Sequence, residues 1–211
     1  FDPQHDLTEL RGKVIIVTGG NRGTGLATVK HLARAGYTVY MAARNEGKAL
    51  QAIAKLSYEG LQTGNGKVKW LKLDLSDPRE AKIATKRLWR RKTGRTRKRR
   101  RLEILLRFEH PLNSMTFHVA GLSTMVVVNY SSPFVFTRTL IPLLTSKSTL
   151  MIYALRYHLS SYIDIPSQTT SKTVCPAHSK LLDILWPRSL QKHFNAASPS
   201  VPIVAMSIHP G

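Results

Sequence analysis

The chain has a single cysteine, Cys175, in 211 residues. No disulfide can close within it, and a reducing, cytoplasmic setting is the expectation. It contains no apolar run of membrane-spanning length, so no membrane span is expected. No basic-then-apolar leader of the secretory kind opens it. Internal repeats are lacking, which sets solenoids and propellers aside. Acids are scarce: 12 Asp and Glu stand against 32 Lys and Arg, for a formal net charge of +20. What remains is ordinary for one domain, with 42% hydrophobic residues to build a core.

The excess charge is local. Residues 86–101 read KRLWRRKTGRTRKRRR, eleven Lys or Arg and no acid. Blocks of this density are usually solvated, and a solvated insert is the favoured reading, one whose deletion should leave the fold intact. A nuclear-localisation signal is the second reading. A phosphate-backbone patch is the third, and nucleic acid is not the expected partner, because Trp89 alone offers little for base stacking.

Elsewhere, short β-branched runs alternate with amphipathic stretches. Lys13–Thr18, Thr38–Ala42, Lys67–Leu73, Leu102–Leu106, Leu150–Leu155 and Val201–Ile208 read as strands. Residues 25–35, 45–56, 78–91, 122–145 and 179–194 read as helices, the fourth a long, mostly apolar one. The stretch 158–175 is rich in Ser and Thr and reads as loop. Strand and helix in alternation predict an α/β fold, a Rossmann-type doubly wound parallel sheet of about six strands with helices on both faces. One domain over 1–211 is expected, with 86–101 as a basic insert.

The strand KVIIVT runs into TGGNRGTG, residues 18–25. Gly19, Gly23 and Gly25 are spaced G-x-x-x-G-x-G between a strand and a helix, with Asn21, Arg22 and Thr24 between them. Glycines permit a tight turn and close approach of the backbone to a pyrophosphate, which then meets the N–H groups of the helix N-terminus. The end of the second strand selects between dinucleotides. A carboxylate there suits a ribose 2′-hydroxyl, whereas an arginine suits a 2′-phosphate. The sequence reads YMAARNEGK, offering Arg44, and Arg22 adds a second cation within the turn. NADP(H) is the cofactor these residues predict. No metal-ligating set is read.

These residues resemble the short-chain dehydrogenases/reductases, and among them fungal members similar to retinol dehydrogenases and WW-domain oxidoreductases. The likeness is carried by FDPQHDLTELRGKVIIVTGGNRGTG, VYMAARNEGKA and WLKLDLSDPREA, and resumes at MVVVNYSSPFVFTRTLIPLL, SKLLDILWPRSLQKHF and SIHPG. It implies hydride transfer between a nicotinamide and a small carbonyl or alcohol substrate. It implies that Asp74 contacts the adenine amino group and that Asn129 holds a water of the proton relay. It further implies that Lys180 binds the nicotinamide ribose and lowers the pKa of a catalytic tyrosine, and that Pro210 and Gly211 flank the nicotinamide. The 122–145 helix, like its family counterpart, could form a homodimer face.

The departures from the family pattern are as specific. The family's Tyr-x-x-x-Lys places both groups one helical turn apart, and counting back from Lys180 puts Pro176 at the tyrosine position. Ala154 and Leu155 stand where the family serine is expected, and RFEH, residues 107–110, replaces the family's Asn-Asn-Ala-Gly. Tyr153 is the nearest substitute acid. The resemblance implies a C-terminal substrate region beyond the sixth strand, and a domain without that region is the expectation for residues 1–211. Three expectations follow: an NADP(H)-dependent oxidoreductase with damaged catalytic machinery, a non-catalytic NADP-binding relative, or an interaction protein acting through its basic run.

Overall fold

The computed structural model describes residues 13–61, 66–93, 102–108, 124–141, 149–154, 174–197 and 204–208. Along the chain these form β1 (Val14–Thr18), α1 (Gly23–Arg34), β2 (Thr38–Ala43), α2 (Glu46–Tyr58), β3 (Lys67–Lys72) and α3 (Pro78–Thr93). There follow β4 (Leu102–Phe108), α4 (Thr124–Val126), a π-helical turn (Val127–Ser131), α5 (Ser132–Leu140), β5 (Thr149–Ala154), α6 (Val174–Ala197) and β6 (Val204–Ile208). The six strands form one sheet in the order β3-β2-β1-β4-β5-β6. Every pairing is parallel, with Val14 opposite Thr38 on one side and Leu102 on the other. This is the doubly wound arrangement the alternation predicts, reversing direction of growth between β1 and β4.

The period-2 alternation of each strand divides the core into two layers. Ile15 and Val17 of β1, with Val39 and Met41 of β2, face Val29 and Ala33 of α1 and Ala49, Ala52 and Leu56 of α2. Their neighbours Val14, Ile16, Tyr40 and Ala42 face the opposite way, toward Ala81, Ala84 and Leu88 of α3, Phe136 and Leu140 of α5, and Trp186 and Phe194 of α6. Strand β1 is buried on both sides, which is why it reads as a continuous apolar run. Strand β3 ends the sheet, and its exposed Lys67, Lys69 and Lys72 guard that edge against pairing with another chain. Tyr130, Phe134 and Trp186 form an aromatic group that ties α6 to the helix before it, with centroids 5.9–6.4 Å apart.

On the α1/α2 face, the Lys30 ammonium donates to Glu59 at 2.6 Å, and holds that carboxyl below its ordinary value. The depressed carboxyl contributes at neutral pH, and its contribution is lost as the pH falls through the acid range. The pair is exposed to solvent, so its weight in the fold is small.

Three sequence expectations are corrected. The long helix over 122–145 is not one regular helix: it opens into a π-helical turn at Val127–Ser131, where the Ser132 N–H donates to the Val127 carbonyl five residues back. Pro133 accounts for this. It has no N–H for the Asn129 carbonyl four residues earlier, and its ring crowds that carbonyl. The basic run is not an insert from its start, since α3 continues to Thr93 and Leu88 is buried in the core at 3% exposure. Deleting all of 86–101 would remove Leu88 from the core, so a lowered melting temperature is the expected result of that deletion. Helix α6 begins at Val174, five residues before the expected start, and absorbs the end of the predicted 158–175 loop. Pro176 falls in its first turn, where a missing N–H costs nothing, and Pro187 lies in its interior. The rest of that loop and residues 94–101 lie outside the described residues.

Candidate functional site

Two backbone hydrogen bonds and one from a side chain bring the predicted residues to one edge of the sheet. The Gly19 N–H donates to the Ala42 carbonyl at 3.0 Å, clamping the glycine turn against the end of β2. The Leu73 N–H donates to the Ala43 carbonyl at 3.3 Å, and the Trp70 indole N–H donates to the same carbonyl at 3.1 Å. Gly19, Arg44 and Asp74 thus leave the carboxyl ends of three adjacent strands, beside the point where the sheet reverses its order. That is where ligands of open α/β sheets bind.

The turn itself is built for close approach. Gly19 and Gly23 adopt φ of +62° and +53°, a region that other L-residues enter at a cost of about 1–2 kcal/mol. Gly20, which the spacing pattern did not single out, is buried. A Cβ there would lie 2.9 Å from Val29 Cγ2, 3.2 Å from Met41 Cγ and 3.3 Å from the Val17 carbonyl oxygen. The missing side chain lets α1 seat on β1. Gly20→Ala is expected to destabilise the fold by about 1–3 kcal/mol, the range of an overpacked core, as a lowered urea midpoint at unchanged slope. A midpoint equal to that of the parent would show that α1 can shift without cost.

Helix α1 differs from α2 and α3 at its N-terminus. Asn45 caps α2 by accepting from the Lys48 N–H at 2.9 Å. Asp77 accepts from the Arg79 N–H at 2.8 Å at the start of α3. At α1 the cap residue is Arg22, which makes no side-chain cap, and the first turn holds no acid. Gly23 and Thr24 there are exposed, and Gly25 is buried. The uncapped N–H groups and the positive end of the helix dipole suit an anion. Asn21, partly buried, lies within the turn.

Arg44 follows β2 directly and is exposed, as is Arg22. No carboxylate occupies the strand end. Asp74 is partly buried, and its Oδ1 accepts from the Ser76 N–H at 2.9 Å and the Ser76 hydroxyl at 2.7 Å. Ser76 therefore fixes this carboxylate, a positioning partner visible in the sequence only as the Asp-x-Ser spacing of an Asx turn. Asn129 sits in the π-helical turn, 2% exposed.

The remaining predicted positions are placed by backbone alone. Pro176 and Lys180 are both in α6, four residues apart on one helical face. Tyr153 and Ala154 end β5, opposite Arg107 and Phe108 of β4. Leu155, Pro210 and Gly211 lie outside the described residues, as do Glu109 and His110 of the RFEH stretch.

A doubly wound sheet with an uncapped glycine turn at its switch point defines a dinucleotide-binding class of protein. Sequence comparison makes this specific: the short chain dehydrogenase family profile matches residues 13–152, and the chain belongs to the short-chain dehydrogenase family of oxidoreductases. A short-chain dehydrogenase/reductase of Armillaria gallica is 37% identical over 227 aligned residues, covering 99% of this chain and 68% of that protein. Retinol dehydrogenase 14 of Mus musculus is 27% identical over 221 residues, and the chain spans 61% of its length. Among solved structures, a dehydrogenase/reductase from Sinorhizobium meliloti matches with a TM-score of 0.69 at 20% identity, covering 99% of this chain and 76% of that one. A short chain dehydrogenase from Burkholderia cenocepacia, solved in complex with NADP, matches with a TM-score of 0.69 at 20% identity, covering 97% and 76%. No helix of the described residues is long and apolar enough to cross a membrane.

Proposed function

We propose that this chain binds NADP(H) at the β1–α1 turn and that its hydride-transfer machinery is impaired. The observation that carries the cofactor assignment is the pair of exposed arginines beside an uncapped helix N-terminus, with no carboxylate at the end of β2. The backbone N–H groups of residues 23–25 would receive the pyrophosphate, and Arg22 and Arg44 the 2′-phosphate. Asp74, held by Ser76, would meet the adenine amino group. The Burkholderia short chain dehydrogenase, solved in complex with NADP, supports the same reading.

When bound, the nicotinamide would supply or accept the hydride that, with a proton, interconverts a carbonyl and an alcohol. The chain's own task is to orient the dinucleotide and to supply a proton or a hydrogen bond to the alkoxide charge that develops. Asn129 and Lys180 remain for that task, Lys180 at the ribose and Asn129 in the relay. Pro176, at the position of the proton-donating tyrosine, has no ionisable group, and Leu155 cannot replace a serine. Such a chain still holds its cofactor, so a second reading, a non-catalytic NADP-binding relative acting as a sensor or as partner to an intact subunit, is favoured by the same Pro176.

Fluorescence titration with NADPH, followed by steady-state assay on a panel of aldehydes and ketones, tests the proposal. The expected result is saturable binding with turnover near background. Absence of binding would remove the cofactor assignment, and brisk turnover would remove the impairment.

A further inference from the structure

The basic helix α3 stands apart from the site just described. Strands β3 and β4 are parallel, so α3 must carry the chain from the carboxyl end of β3 back to the amino end of β4. Its sixteen residues span about 24 Å at the helical rise of roughly 1.5 Å. Its basic C-terminal end therefore lies at the edge of the sheet opposite the glycine turn. The cations toward that end, from Lys86 on, point away from the cofactor edge along the helix axis.

The helix holds seven Lys or Arg and one acid, Glu80. Arg79 is already engaged by Asp77 through a two-pronged contact, Nε at 3.0 Å and a terminal nitrogen at 2.7 Å. Lys82, Lys86 and Arg87 are exposed and meet no acid among the described residues. Arg90, Arg91 and Lys92 follow in the same helix. The opposite face is fixed: Ala81, Ala84 and Leu88 are buried in the core, and the hydroxyls of Thr85 and Thr139 are 2.8 Å apart, linking α3 to α5. Lys82, Lys86 and Arg87 are thus held outward on a rigid element. Lys82 with Lys86, Lys86 with Arg90 and Arg87 with Arg91 are like charges at i,i+4 spacing, which repel in the absence of a counter-charge.

We infer that the solvent face of α3 from Lys82 onward docks the phosphate backbone of a double-helical nucleic acid, without reading its sequence. Five cations over the ten residues from Lys82 to Arg91, about 15 Å of helix, match a duplex that carries one negative charge about every 1.7 Å of its axis. A bilayer surface fits less well, because the apolar residues of α3 are committed to the core, and Ile83 is the sole large apolar side chain it exposes among the described residues. A single strand fits less well again, because the aromatic platform it needs reduces to Trp89. Three of those five cations are arginine, the side chain whose planar fork grips phosphate with two hydrogen bonds. Phosphate contact supplies affinity and leaves sequence choice open.

The test is fluorescence anisotropy of a labelled 20-base-pair DNA duplex with the full chain between 50 and 200 mM NaCl, alongside the triple variant Lys82→Gln, Lys86→Gln, Arg87→Gln. Neutralising about five phosphates predicts a log–log salt slope near −4.5, or roughly 500-fold weaker binding across that range. The triple variant should lower the slope by about 2.7 and bind at least tenfold more weakly at 100 mM salt, while its NADPH titration matches that of the parent. Should the triple variant lose its helical circular dichroism, Lys86→Gln with Arg87→Gln is read instead, with a slope change of about 1.8. The inference is overturned if the parent does not bind the duplex at 50 mM salt, or if a folded variant binds it as tightly as the parent. It is equally overturned if a single strand, or vesicles of three parts phosphatidylcholine to one part phosphatidylserine, compete more strongly than the duplex.

Discussion

Replacing Pro176 by Tyr and Leu155 by Ser in one chain is expected to raise steady-state NADPH oxidation on simple aldehydes and ketones by about 10²–10⁴-fold over the unmodified chain, the usual worth of a positioned acid or base. Helix α6 makes the experiment feasible. It already includes positions 176 and 180, four residues apart, so a tyrosine introduced at 176 falls one turn from Lys180. Removing a proline from the first turn of a helix also carries little structural risk. Each single change should recover much less than the pair, because relay residues act as a unit. The comparison needs four proteins, the parent, both singles and the double, under one set of conditions. A double variant no faster than either single would mean that the lost relay is not what limits the chain. Robust turnover by the parent would point to a substitute acid, and Tyr153, at the end of β5, is the residue to change first.

Arg44→Ala is expected to weaken NADPH binding by about 10–100-fold while NADH binding stays within roughly twofold. A hydrogen bond to a charged group is worth about 1.5–3 kcal/mol, and about 1.4 kcal/mol is a factor of ten. The selectivity follows from chemistry: the arginine meets a 2′-phosphate that NADH lacks. Paired calorimetric titrations with the two cofactors give the ratio. An equal loss for both would place Arg44 on a shared part of the dinucleotide, and no loss for either would leave it as a solvated surface residue.

Much of this was legible in the residues. The sheet followed from the β-branched runs, because parallel strands buried on both faces are apolar throughout, as β1 is. The glycine turn followed from its place between strand and helix, and the two arginines from their position relative to it. Other features depended on contacts that spacing does not encode. Gly20 matters because of Val29 and Met41, residues from a helix and a neighbouring strand. Ser76 matters because it holds Asp74. The π-helical turn had a local signal, Pro133 four residues after Asn129, but an apolar stretch of that length reads first as one helix. The basic run was misjudged where charge density outweighed a single apolar residue, since Leu88 anchors the segment that precedes Thr93. Net charge informs on partners and solubility, and says little about fold.

Hydrogen–deuterium exchange of the full chain with and without saturating NADPH tests the central claim most directly, because it reports where the dinucleotide sits. The account predicts slowed exchange at the amides of residues 19–26 and at the end of β2 through Arg44, with residues 82–93 of α3 unchanged. Protection confined to α3, or none at residues 19–26 under saturating NADPH, would contradict it.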